Sequence, residues 1–172
     1  MLFTADAESM YTNIPTNLAI RNISRYMRRY RARFPGIPMD AAIDLLDLIF
    51  RNNFFTFGDL TFKQKKGIAM GTPPAVALAT LFMADYEEPI VNNFTQNNGR
   101  LLAYKRFIDD MFGIWLVHPH PNTNLYLWNR FKERMNLESG LTWNFSELSQ
   151  SVVFLDMVIS IDKGKILISR RE

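Results

Sequence analysis

The chain has no cysteine, which excludes disulfides, thiolate-bound zinc and a cysteine nucleophile, though it does not fix the compartment. Histidine is nearly as scarce. The only two, His118 and His120, alternate with Pro119 and Pro121 and read as exposed loop residues. Long hydrophobic runs are missing as well. The longest, residues 73 to 84, falls short of the roughly 20 residues that a membrane-spanning helix needs. The start, MLFTADAE, has no basic segment leading into an apolar one and does not read as a signal peptide. The expectation is an intracellular protein, with the nucleus open, that is neither secreted nor in a membrane. Repeats, low-complexity tracts and linkers are also absent. Acidic residues are missing from Ser9 to Met39, while the same stretch carries Arg21, Arg25, Arg28, Arg29, Arg31 and Arg33.

What is present argues for a folded domain. Hydrophobic residues make up 48% of 172, enough for a core and too many for a disordered chain. The net charge is +3, so any affinity for nucleic acid rests on how charge is distributed. The arginine run raises local positive potential and attracts phosphates; its plainer reading is a solvated helix face.

Residues 2–6 read as a buried strand entering an acidic turn. Thr16 is placed to cap a helix reaching about Arg33, with Ile20, Ile23, Met27, Tyr30 and Phe34 on one side. Pro35, Gly36 and Pro38 end it. A second helix spans residues 40–51, with Asp40, Asp44 and Asp47 toward solvent. FFTFGDLTFKQ is a hairpin turning at Gly58-Asp59. KKGIAMGTPP is a glycine-bearing loop, followed by a helix from Ala75 to about Asn93 that begins apolar nearly all round, hence buried. LLAYKRF, IDD and MFGIWLV form a hairpin with an acidic tip, and residues 124–138 form a helix. LTWNFSE, VVFLDMVISID and KILISRR read as strands, the last two joined at Lys163-Gly164. The absence of regular βαβ alternation points to an α+β fold, a mainly antiparallel sheet with helices on one face.

Three carboxylates stand out. Asp6 ends one apolar strand, and Asp109-Asp110 sit at the tip of an apolar hairpin. Adjacent aspartates suit an ordinary turn. Their flanks argue for more, because both strands are apolar enough to lie centrally, and adjacent anions at the end of buried strands need a neutralising cation. Two-metal phosphoryl transfer needs such a set, holding two Mg²⁺ roughly 3.5–4 Å apart. Mg²⁺ keeps water and phosphate ligands and takes few carboxylates from protein. Asp6 and Asp109 are the main candidates, with the Ala7 carbonyl as a further ligand.

TADAESMYTNIP resembles motif A of reverse transcriptases, in the form typical of Penelope-like retroelements. QKKGIAMGTPPAVALATLFM is similar to their motif B, and YKRFIDDMFGIW to the Tyr/Phe-x-Asp-Asp hairpin of motif C. LTWNFSE followed by VVFLDMVIS resembles the region after motif C. The similarity covers most of the chain in the right order. It implies a polymerase palm with a ferredoxin-like or RRM-like core that adds dNTPs to a primer 3′-end on an RNA template, with a DNA primer. Two Mg²⁺ ions, or Mn²⁺ as substitute, would serve as cofactor. The resemblance assigns metal binding to Asp6, Asp109 and Asp110. It places Tyr11 under the nucleotide sugar, where a ring excludes a 2′-hydroxyl; the other reading is a core tyrosine. Gly67, Met70 and Gly71 match the loop that approaches the template–nucleotide pair. Gln64 corresponds to the motif B glutamine, although Lys66 before Gly67 departs from the usual Pro-Gln-Gly form. Lys105 and Arg106 precede motif C, as contacts to primer backbone or as solvent-facing residues. Lys163 or Lys165 matches a general-acid lysine or is a plain turn residue, and Asp156 reads as structural.

Family members also carry fingers before motif A and a thumb after the palm. The expectation here is a palm alone, residues 1–172, with fingers and thumb largely absent and supplied by a longer polypeptide. The alternatives are a silent relic or nucleic-acid-binding module that keeps the palm fold, and another two-metal polymerase such as one making RNA.

Overall fold

A computed structural model describes residues 1–171. In chain order the elements are β1 (Leu2–Ala7), α1 (Met10–Asn13), α2 (Thr16–Arg29), α3 (Met39–Arg51), β2 (Phe54–Phe57), β3 (Leu60–Lys63) and α4 (Ala75–Asn92). They continue with β4 (Leu101–Phe107), β5 (Asp110–Trp115), α5 (Pro121–Ser139), β6 (Trp143–Phe145), β7 (Ser151–Phe154), β8 (Met157–Asp162) and β9 (Lys165–Arg170). They fall into two compact units, Met1–Glu8 with Glu87–Glu172, and Ser9–Tyr86.

In the first unit a four-stranded antiparallel sheet has the order β4-β5-β1-β6. Strand alternation gives β1 two jobs. Phe3 meets the edges of Trp128 and Phe131 on α5, with centroids 4.8 and 5.7 Å away. Leu2, pointing the other way, joins Phe112, Val152, Phe154 and Ile159 in a second cluster roofed by the β7-β8-β9 sheet. β1 is thus covered on both faces at its start, and the cover runs out at Asp6, which is exposed. Helix α5 begins at Pro121, where a missing N–H costs nothing, and ends at Gly140 in left-handed backbone (φ 65°).

The second unit packs α2 against α3 and carries the β2–β3 hairpin. Met10, Ile14, Ile23, Leu46, Phe50, Phe82 and Met83 are buried in it. Arg25 pairs with the fully buried carboxylate of Asp85.

The α+β reading holds, as do both hairpins and the four long helices. Several details differ. The first helix stops at Arg29 and gives way to a 3₁₀ turn at Arg31–Arg33. Thr16 is not its cap: Pro15 occupies that position and the Thr16 hydroxyl donates to the Lys65 carbonyl at 3.4 Å. The start of α4 is buried on one side only, since Val76, Ala77 and Thr80 are exposed. β4 is an edge strand of its sheet, not a central one. VVFLDMVISID breaks into β7 and β8 at Leu155-Asp156, where Leu155 takes a φ of 53°. A run apolar but for Asp156 hid that turn, because Leu is not a residue that marks positive φ.

Gly113 stands directly opposite Phe3 across the β1–β5 pair. A Cβ there would fall 2.2 Å from the Phe3 ring, which Trp128, Phe131 and Phe145 box in. Gly113→Ala is therefore expected to cost about 1–3 kcal/mol, the usual penalty of overpacking, measured as a drop in the urea midpoint with unchanged m-value.

Candidate functional site

The β1–β5 register places Asp6 and Asp110 as direct cross-strand partners, and the β1–β6 register places Asn144 on the other side of Asp6. Phe107 of β4 is the partner of Asp110. Partners in an antiparallel pair share a face, so Phe107, Asp110, Asp6 and Asn144 form one row across the sheet. Cβ atoms of such neighbours lie about 4.5–5.5 Å apart, where like charges repel. Asp6 and Asp110 line an open groove of about 350 Å³ with Thr4, Asn144, Ser146 and Val153.

Asp109 occupies the turn between β4 and β5. The turn is strained. Ile108, a β-branched residue, has a φ of 54°, a conformation that costs an L-residue about 1–2 kcal/mol. Both of its central carbonyls are held. The Ala7 amide donates to the Asp109 carbonyl at 3.1 Å, and Arg106 Nη1 donates to the Ile108 carbonyl at 2.7 Å.

The acidic groups repel one another. Burial, then Asp109 and Glu8, push the Asp6 carboxyl above its ordinary value. Burial, then Asp109 and Asp6, do the same to Asp110. Among the described residues none of the ion pairs involves Asp6, Asp109 or Asp110. Nor do any three acidic or histidine side chains there gather closely enough to enclose a metal ion by themselves. The set is open and anionic, able to share a cation with ligands from elsewhere.

Alternation separates Lys105 from Arg106. Lys105 is exposed, and its cross-strand partner Phe112 puts it on the aspartate face. Arg106 lies on the opposite face, its side chain 9% exposed, with Nε 2.6 Å from Glu87 Oε1 on α4. The expectation of a phosphate contact or a solvent-facing side chain therefore does not hold for Arg106. Sequence reasoning missed Glu87 and Asn144. A polar residue inside the apolar WNF strand was the available signal for Asn144, and none marked Glu87.

In the second unit, Tyr11, Gln64 and Gly67 converge. The Gly67 amide donates to the Ile14 carbonyl at 3.1 Å, and the Ile68 amide to that of Tyr11 at 2.7 Å. A Cβ on Gly67 would fall 2.5 Å from the Tyr11 carbonyl oxygen and 3.0 Å from Gln64 Nε2, so this glycine permits close approach of the loop to α1. Tyr11 is half-buried, and Gln64 Nε2 donates to the Lys66 carbonyl at 2.8 Å. Met70 and Gly71 are exposed, and Gly71 has a φ of 80°. Of the arginines, Arg28 pairs with Asp40, while Arg33 sits 4.1 Å over the Tyr30 ring. His118 accepts a bond from the His120 amide through Nδ1 at 3.0 Å. Lys163 and Lys165 are exposed at the β8–β9 turn.

No protein-family model and no curated protein matches the chain. Solved structures do. Telomerase from Candida tropicalis aligns with a TM-score of 0.71 at 10% identity, over 92% of this chain and 30% of that one. Telomerase from Candida albicans, in complex with a TWJ fragment of telomeric RNA, aligns with a TM-score of 0.71 at 9% identity, over 99% and 31%. The chain has a palm-like α+β fold. It spans about a third of the length of those telomerases.

The repulsion has a pH signature. Carboxyls raised in the fold hold their protons to higher pH than in the unfolded chain, so the folded state binds more protons in the window just above the ordinary aspartate range. Stability falls as pH rises through that window. Asp6→Asn and Asp110→Asn are each expected to raise the melting temperature at pH 7 in chelator-treated buffer. The gain should vanish at a pH below the ordinary aspartate value, where both forms are neutral; calorimetry across pH checks it.

Proposed function

We propose that this chain is the palm of an RNA-directed DNA polymerase of the Penelope-like type, which adds dNTPs to a primer 3′-end on an RNA template. The observation that carries the reading is the cross-strand pair of Asp6 and Asp110 beside Asp109, an anionic set without a protein cation. The telomerase likeness supports a polymerase palm, and the wording of the three motifs supports the narrower assignment.

The donor set suits Mg²⁺. Two or three carboxylate oxygens, with the Ala7 carbonyl as a proposed further ligand, would leave positions for water and phosphate, as this hard cation prefers. When bound, two such ions supply a nucleophilic 3′-oxygen and neutralise charge on the leaving pyrophosphate. The residues do the rest. Asp6 and Asp110 are fixed by strand register, and Asp109 by its pinned turn. Phe107, 55% exposed beside Asp110, offers a flat apolar surface to a primer sugar or base. Lys105 offers a cation to backbone phosphate. Tyr11 is the proposed gate against a 2′-hydroxyl. Fingers and thumb of a longer polypeptide would complete the triphosphate and duplex contacts.

Mn²⁺ is expected to bind weakly and to raise the melting temperature of the wild-type chain. Asp109→Asn should weaken that binding by at least the roughly tenfold that even loss of an outer-shell partner costs. Spin-resonance titration of free Mn²⁺ measures this, and equal affinity in both proteins would remove Asp109 from the site.

Joined to fingers and thumb, the palm is expected to extend oligo(dT) on poly(rA), with Asp109→Ala at background. Tyr11→Ala should raise rNTP relative to dNTP incorporation in the same assay. Background extension by the wild type would favour a silent nucleic-acid-binding module instead.

A further inference from the structure

The hairpin that carries the aspartates has a support on the face away from them. Arg106 lies on β4, two residues before the strained Ile108. Its Nε edge meets Glu87 Oε1 at 2.6 Å, and its Nη1 reaches forward to the Ile108 carbonyl at 2.7 Å. Tyr104, two residues back on the same strand face, also favours the charged form of the Glu87 carboxyl. The side chains of Arg106 and Glu87 are 9% and 7% exposed. Burial pushes the Glu87 carboxyl up from its ordinary value, against the opposing pull of Arg106 and Tyr104.

A buried ion pair by itself is weak evidence of stabilisation, because desolvation offsets most of the attraction. Geometry suggests another use for this one. Guanidinium is a flat, rigid fork with donors on separate edges, so fixing one edge on a carboxylate aims the other. Here the second edge lands on the carbonyl of the residue with positive φ, directly before Asp109. A strained backbone persists only where its surroundings over-determine it. The Ala7 amide holds the next carbonyl from the other side at 3.1 Å, so the turn is gripped at two consecutive peptides.

We propose that Arg106, anchored by Glu87, is a positioning residue that sets the turn geometry and thereby the placement of Asp109 against Asp6 and Asp110. The metal-binding half of this proposal rests on the polymerase reading above; the turn-holding half does not. Glu87 and the Asp109 turn are one mechanical unit, with Glu87 the anchor and Arg106 the arm. Lysine in place of arginine would keep a cation opposite Glu87 but has one nitrogen, which cannot span both partners.

The test uses the intact 172-residue chain. Arg106→Lys is expected to fold, with a circular-dichroism spectrum like the wild type. Its ¹⁵N order parameters at Ile108, Asp109 and Asp110 should fall from about 0.85 toward 0.6, while residues 111–115 stay rigid. Its Mn²⁺ affinity should fall by roughly tenfold. Glu87→Leu/Arg106→Met, which fills the same space without charge, should loosen the turn likewise and serves if the lysine variant does not fold. Unchanged order parameters in the variants overturn the proposal. So does a loosened turn with undiminished Mn²⁺ affinity. If the wild type shows no Asp109-dependent Mn²⁺ affinity, the polymerase reading falls, and the order parameters alone decide whether Arg106 holds the turn.

Discussion

The pairing of β1 with β5 is the constraint on which the rest depends. One register fixes three things together. It sets Phe3 over Gly113 and so seats the aromatic cluster on α5. It turns Leu2 toward Phe112 and the β7–β8 roof. It brings Asp6 opposite Asp110. A slip by one residue would reverse all three, moving Phe3 off its glycine and each aspartate to the wrong face. Apolar burial on two faces supplies the free energy that holds two carboxylates side by side against their repulsion. The site is thus a place where packing at one end of a strand opposes electrostatics at the other.

The same strands show how alternation sorts charge. Lys105 and Arg106 are neighbours in sequence with similar side chains, yet one faces solvent beside the aspartates and the other is buried against Glu87. The difference lies in parity along β4 and in Glu87, which arrives from the preceding helix. Buried basic residues need a partner, and the partner's position decides which of two adjacent cations is free to meet a ligand.

Much was legible in the sequence where local pattern and chemistry coincide. The apolar hairpin with an acidic tip identified β4, β5 and Asp109-Asp110. Gly58-Asp59 and Lys163-Gly164 marked true turns, and the helices followed their apolar spacing. Misreadings came where the deciding interaction is non-local. Nothing in residues 101–107 shows that β4 lies at a sheet edge, because edge position depends on which strands pair elsewhere. The turn at Leu155-Asp156 was hidden because a leucine, not a glycine, takes positive φ there. Asp6, Asp109 and Asp110 were singled out by residue type and flanking strands, whereas Glu87 and Asn144 owe their places to tertiary contact. Gly67 was singled out for close approach to a ligand; in the fold its missing Cβ admits the Tyr11 backbone.

The sequence distance spanned by β1 bears on how the molecule is made. Its residues pair with Asp110–Ile114 and Trp143–Phe145, and Leu2 bridges to Ser149. The central strand of the sheet is therefore synthesised first and satisfied last. At about 5–20 residues per second, roughly seven to thirty seconds separate emergence of β1 from that of its second neighbour. Leu2 and Phe3 have no strand to join until β5 emerges, and the opposite edge of β1 then stays open until β6 follows. Closure of the sheet is a late, long-loop event, slow for the entropic reasons that burden all distant pairings. The nascent chain thus depends on keeping one short apolar strand from premature partners until the residue that completes its pairing has been added.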